Sequence, residues 1–202
     1  MNKIKICGLT NVEDAVLCSN LGVDFVGLNF YSKSKRFIDL KKADEIVKKL
    51  NSSVLKVGVF VNEDITTINH YVINLGLDYV QLHGDENPES VKNINCKTIK
   101  AFSAKNPNLQ QSVSRFDTEY WLFDSSDDKE RGGTGKIFDW SIVSNIFPKE
   151  KIILSGGLNE KNIKKAMKET EINFVDICSG VESFPGHKDV KKLESVVRLV
   201  KS

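Results

Sequence analysis

The sequence lacks the features that mark most specialised classes of protein. No apolar run approaches the ~18 residues that a membrane-spanning helix needs, and Met1 is followed at once by charged, alternating residues rather than by a signal peptide's apolar core. A net charge of +2 on 202 residues leaves no excess of one sign. The lysines of KKADEIVKK and NIKKAMKE alternate with apolar residues at helical spacing, as on solvated helix faces, so no basic footprint for nucleic acid results. Only four cysteines occur, at 7, 18, 96 and 178, with no CxxC pair and no His/Cys metal spacing, which argues against a disulfide scaffold or a structural zinc site. No GxGxxG follows the first apolar run, so an open dinucleotide-binding sheet is disfavoured. These absences imply a cytoplasmic protein with free thiols and with neither nucleic acid nor membrane as a partner.

What is present is alternation. With 40% hydrophobic and 28% charged residues the chain can bury a full core, and β-rich runs trade places with helical patterns along its whole length. Strands are expected at KIKIC (3–7), DFVGLNF (24–30), VLKVGVFV (54–61), LDYVQLHG (77–84), KTIKAFSA (97–104), EYWLFDS (119–125), KIILSGG (151–157) and NFVDICSG (173–180). A helical pattern follows each, and most of these open with Asn or Asp in the N-cap position. Eight strand–helix units leave no room for a linker, so residues 1–202 read as one domain, a (β/α)₈ TIM barrel with a parallel sheet closed on itself.

A barrel of this kind does its chemistry at the C-terminal ends of its strands. Those ends carry Cys7, Asn29, Asn62, His83, Ser103, Asp124, Gly156–Gly157 and Ser179–Gly180. Side-chain alternation turns Lys5, Cys7 and Asp176 toward the barrel axis. Strands one and eight are neighbours in a closed barrel, so a Lys5–Asp176 pair is expected, since a lone buried carboxylate is costly. The glycines of SGGLN and SGVES end the two strands between which barrels commonly hold a phosphate. Asp124 precedes a long polar, glycine-rich loop and is a candidate general acid. Arg36, in the loop after strand two, is placed to clamp a carboxylate or phosphate. His83 is read equally as a structural histidine or a ligand contact. Cys18 and Cys96 are read as small buried hydrophobes, and Cys7, at a strand mouth, as a candidate functional thiol.

Taken in order, KICGLTNVEDA, SKR at 34–36, VGVFVN, VQLHGDE, FDS followed by GGTGKIFDW, LSGGLN and SGVES–PG–KD are similar to the phosphoribosylanthranilate isomerase family, over the whole chain. That resemblance implies a small (β/α)₈ barrel performing an Amadori rearrangement in tryptophan biosynthesis, without metal or cofactor. It implies Cys7 as general base, Asp124 as general acid, and Arg36 as the contact to the anthranilate carboxylate. Gly156, Gly157, Ser179 and Gly180 fall on the phosphate site, with His83 as a further substrate-binding candidate. The implied partner is a phosphosugar–anthranilate small molecule, and the implied assembly a monomer or homodimer. Residues 126–136 are expected to order over the substrate. Cys178 stands where the family commonly has serine, a departure expected to affect packing beneath the phosphate loop and no assigned role. Three rivals use the same pocket: a flavin oxidoreductase, which would be coloured; a lyase resembling indole-glycerol-phosphate synthase, which would carry a lysine/glutamate-rich site and an earlier N-terminal segment; and a phosphosugar sensor without turnover.

Overall fold

The computed structural model describes residues 1–106, 108–125 and 139–202. Eight strands pair in sequence order and close: β1 (Lys3–Cys7), β2 (Phe25–Asn29), β3 (Leu55–Phe60), β4 (Tyr79–Leu82), β5 (Lys97–Ser103), β6 (Tyr120–Asp124), β7 (Ile152–Leu154) and β8 (Phe174–Ile177). All pairings are parallel, including the seam of β1 with β8. Every strand lies inside the run that its alternation marks. The crossovers carry α1 (Val12–Asn20), α2 (Leu40–Val47), α3 (Ile65–Leu75), α4 (Pro88–Val91), α5 (Leu109–Ser114), α6 (Ser141–Ser144), α7 (Ile163–Thr170) and α8 (Val190–Lys201). Asn11, Asp39, Asp64, Asn87 and Asp189 cap their helices through the side chain, as the pattern anticipates. Asn108 and Asn162 occupy the cap position without such a bond.

Two features after β8 are not anticipated by the strand–helix pattern. A 3₁₀ turn over Ser179–Val181 leads into a small antiparallel hairpin, β9 (Glu182–Phe184) with β10 (His187–Lys188). Gly186 turns it with a φ of 89°, a conformation that side chains beyond glycine rarely take. The hairpin returns over the barrel mouth, where the Thr10 hydroxyl donates to the Gly186 carbonyl.

Two apolar layers hold the barrel. Between strands and helices lies the larger core, with Ile4, Ile6, Val26, Leu28, Phe60, Val80, Phe123, Val175 and Leu193 fully or almost fully buried. Inside, one aromatic ring from each even-numbered strand (Phe25, Tyr79, Tyr120 and Phe174) forms a plug with neighbouring centroids 4.7–6.4 Å apart. Four side chains from alternate strands are the usual filling of such a layer, and aromatic rings packed edge-on add to their area burial. The plug keeps water from the barrel floor, so polar side chains further up the axis need partners.

Lys5 is the largest such side chain. It is wholly buried, and its Nζ lies 2.9 Å from Asp176 Oδ1, while the Ser155 hydroxyl donates to Asp176 Oδ2 at 3.4 Å. The pair expected from alternation is therefore present across the β1–β8 seam. Removing one partner strands the other charge in the interior. Asp176→Ala should cost about 3–5 kcal/mol in denaturant unfolding. Breaking the exposed Lys48–Asp44 pair by Asp44→Ala should cost no more than about 1 kcal/mol.

Candidate active site

The residues singled out by sequence gather at one end of the barrel. Cys7 and Asp124 end β1 and β6, three strands apart around the ring, and the loops after β7 and β8 lie between them. Gly156 has a φ of 85° and Gly157 of 68°. A Cβ on Gly156 would stand 2.7 Å from the Ser125 backbone nitrogen, and one on Gly180 would overlap the Leu158 carbonyl oxygen. Glycine is thus required at both places for the loops to approach so closely. The Asn159 and Asn162 side chains both donate to the Gly157 carbonyl at 3.0 Å, which fixes the first loop. Among the described residues no protein acceptor takes the backbone N–H of Gly157 or of Gly180, so both remain available to an anion.

Asp124 is buried, and its Oδ1 accepts from the Ser125 N–H at 2.7 Å. Its Oδ2 lies 3.7 Å from His83 Nε2. Burial, reinforced by Lys100 and Lys5, pushes the His83 pKa down to about 4, so the imidazole is neutral and the contact is no ion pair at neutral pH. Gln81, also inside the barrel, donates its amide N–H to His83 Nδ1 at 2.9 Å; the ring proton then sits on Nε2, toward Asp124. Among the described residues Gln81 Oε1 has no partner. Sequence reading missed Gln81, although alternation from His83 turns it inward.

Arg36 is held by a turn in which its backbone N–H donates to the Ser34 hydroxyl, itself hydrogen-bonded to Asn29. The guanidinium expected to clamp a carboxylate or phosphate is forked on a carboxylate of the chain itself: Nε donates to Glu182 Oε1 at 2.9 Å and Nη2 to Oε2 at 2.6 Å. Glu182 also accepts from Lys188 Nζ at 2.8 Å, and Lys188 Nζ donates to the Cys7 carbonyl at 2.7 Å. Burial opposes charge on Glu182, but Arg36 and Lys188 outweigh it and hold its pKa below the usual carboxylate value. Neither Glu182 nor Lys188 stands on a barrel strand, which is why strand-end reasoning passed over them.

The four thiols divide sharply. Burial pushes Cys18 up to about 12 and Cys96 up to about 11, although Cys96 is only half-buried, not the core residue expected. Cys7 goes the other way, down to about 7. The neighbouring Cys178 thiol lowers it most; burial opposes, and Lys5 and Lys188 add to the lowering. Cys178, expected to touch no assigned role, has its sulfur 3.9 Å from Glu182 Oε1, the carboxylate that holds Arg36. The expected lid at residues 126–136 lies outside the described residues.

A family model described as N-(5′-phosphoribosyl)anthranilate isomerase matches residues 4–199. The N-(5′-phosphoribosyl)anthranilate isomerase of Bacillus cereus (strain B4264) is 41% identical over 198 residues, covering 96% of each chain. That of Caldanaerobacter subterraneus subsp. tengcongensis is 41% identical over 202 residues, covering all of this chain and 98% of its own. Among solved structures, the Thermotoga maritima phosphoribosyl anthranilate isomerase superposes with a TM-score of 0.88 at 35% identity, covering 100% and 99% of the two chains. A phosphoribosyl anthranilate isomerase in complex with reduced 1-(o-carboxyphenylamino)-1-deoxyribulose 5-phosphate does so with a TM-score of 0.86 at 35% identity, with the same coverage.

A buried neutral histidine makes stability depend on pH. The unfolded chain takes up a proton on His83 near pH 6.5, whereas the folded one resists until about pH 4. Stability should fall as pH drops from about 6.5 to about 4 and then level with respect to this group. Denaturant unfolding at a series of pH values should show a shallower decline in His83→Gln over that window.

Proposed function

The chain belongs to the N-(5′-phosphoribosyl)anthranilate isomerase family and converts N-(5′-phosphoribosyl)anthranilate to 1-(2-carboxyphenylamino)-1-deoxyribulose 5-phosphate in tryptophan biosynthesis; we propose that Cys7 is the base and Asp124 the acid of this rearrangement. The observation that carries the assignment is a thiol ending β1 and a buried carboxyl group ending β6 at the same barrel mouth, with two glycine loops between them; a Cys7 pKa lowered from the usual thiol value supports it. A general base works best with a pKa near the operating pH.

The reaction is redox-neutral and consists of proton transfers on a sugar, so it needs no cofactor. Asp124 protonates the furanose ring oxygen, which opens the ring to a Schiff base. The Cys7 thiolate then removes the C2′ proton, giving an enolamine that tautomerises to the ketose. The phosphate is taken by the backbone amides at Gly156, Gly157, Ser179 and Gly180, near the N-terminal end of α7. Arg36 takes the anthranilate carboxylate through whatever donor capacity its fork on Glu182 leaves, with Glu182 keeping the guanidinium in place. His83 Nε2 faces the space beside Asp124 and contacts the substrate there. Holding both ends of the substrate sets the reacting carbon between acid and base.

We place residues 1–202 in one catalytic domain working in the cytoplasm. No described helix is long and apolar enough to cross a membrane. The Thermotoga maritima relative is described as dimeric, so a homodimer is the assembly to look for here. The readings as flavin oxidoreductase, lyase or sensor find no observation in their favour.

Cys7→Ser and Asp124→Asn should each fold and each lose turnover by orders of magnitude in a coupled-fluorescence assay, while affinity for a product analogue stays within a few-fold. Normal turnover in either variant removes that residue from the mechanism. Arg36→Met should instead weaken analogue binding by about 1.5–3 kcal/mol, read by calorimetry. Unchanged affinity would mean that another group holds the carboxylate.

A further inference from the structure

The PG–KD stretch near the end of the chain carries part of the family resemblance, yet the proposed reaction gives its lysine, Lys188, no part. Lys188 stands in β10, where the hairpin pairing slips: His187 lies opposite Phe184 but Lys188 opposite Glu182, so β9 carries the extra residue. Irregularities of this kind re-aim a side chain. His187 stays exposed, whereas Lys188 turns inward and its side chain has no contact with solvent. Its backbone is pinned to the barrel. The Lys188 N–H donates to Asp14 Oδ2 on α1 at 2.9 Å, and the next N–H, that of Asp189, to the Val181 carbonyl at 2.8 Å.

The buried ammonium holds two acceptors at once. Nζ donates to Glu182 Oε1 at 2.8 Å and to the Cys7 carbonyl at 2.7 Å. The same carboxylate receives the Arg36 fork, Nε on Oε1 and Nη2 on Oε2, and the Gly186 N–H at 3.2 Å. Charge balance does not call for Lys188. Arg36 alone neutralises Glu182, and a second buried cation costs desolvation that an apolar side chain would avoid. What the ammonium adds is a link between the end of β1, where Cys7 stands, and the acid on which Arg36 is seated. With no exposure it reaches no ligand itself, so whatever it does for the reaction it does through the groups it holds.

We propose that Lys188 is a positioning residue for the isomerisation: by bonding the Cys7 carbonyl and Glu182 with one ammonium, it holds the base and the Arg36 guanidinium at a fixed separation. The proposal rests on the reading of Cys7 as base and Arg36 as the contact to the substrate carboxylate. A substrate anchored by that carboxylate presents C2′ to the thiolate only while the two anchor points keep their spacing, and small displacements of reacting groups are costly in rate. The plainer role for Lys188 is to fasten the hairpin to the barrel. Two other side chains do that without touching Cys7 or the Glu182 carboxylate. Lys192 Nζ donates to the Glu182 backbone carbonyl at 2.9 Å, and the Thr10 hydroxyl to the Gly186 carbonyl. Lys192 therefore serves to tell fastening from positioning.

Lys188→Met deletes the ammonium and keeps most of the side chain's bulk, and Glu182 stays paired with Arg36, so no charge is stranded. In the folded variant kcat should fall about tenfold or more, and affinity for a product analogue about threefold. Circular dichroism and unfolding midpoints establish the fold. Lys188→Gln, which leaves a polar group in the polar socket, takes the same measurements if the Met variant does not fold. Lys192→Met should lower the unfolding midpoint while kcat and analogue affinity stay within about twofold of wild type. A folded Lys188 variant with unchanged kcat overturns the proposal and leaves the base assignment standing. So does a Lys192→Met that loses kcat to the same extent, because fastening the hairpin then accounts for both. Turnover surviving in Cys7→Ser overturns the underlying base assignment instead, and with it the positioning of Cys7 by Lys188.

Discussion

The closure of the barrel depends on the buried pair of Lys5 and Asp176. Neither charge could remain in a dry interior above an aromatic plug without the other, so the pair fixes how the first strand meets the last. In a parallel ladder, slipping the seam by one residue would turn every inward side chain outward. The same register sets Ile6 beside Ile177 and carries Cys7 to the barrel mouth one pleat above Lys5.

Above that seam the site is organised by a second buried carboxylate. Glu182 accepts from the Arg36 fork and from Lys188, and Lys188 in turn ties down the Cys7 carbonyl. One acid thereby sets the position of the group assigned to the substrate carboxylate and braces the backbone beneath the thiol assigned to proton transfer. Two cations with one carboxylate leave the cluster short of negative charge, which favours an anion at this end of the barrel. The neutral Gln81–His83 pair stands instead beside Asp124, adding hydrogen-bond capacity there without a further charge at neutral pH.

Legibility from the chain alone followed how local each feature is. Strands, crossovers and five of the helix caps depend on period-2 alternation and on single Asn or Asp side chains acting within a few residues, so they can be read directly. The functional strand ends could be read once a barrel was accepted, because that fold assigns a meaning to each C-terminal strand position. Lys5 with Asp176 could be read because alternation and closure together left no other partner. The hairpin of β9 and β10 was passed over because two- and three-residue strands carry too little periodicity to register. Glu182 and Lys188, lying on it, were missed for the same reason, and so the commitment of Arg36 was missed too.

By itself, then, the sequence determined the eight-fold alternation, the inward parity of each strand and the chemical types standing at the barrel mouth, because these rest on contacts between near neighbours and on burial patterns. Tertiary structure alone decided which of those groups act on one another. Arg36 meets Glu182 across 146 residues, and Lys188 reaches the Cys7 carbonyl across 181. Only closure of β8 on β1 and the fold-back of the hairpin bring them within reach. The lowered pKa of Cys7 could not be read along the chain, since Cys178 and Lys188, which lower it, come near only when the barrel is closed.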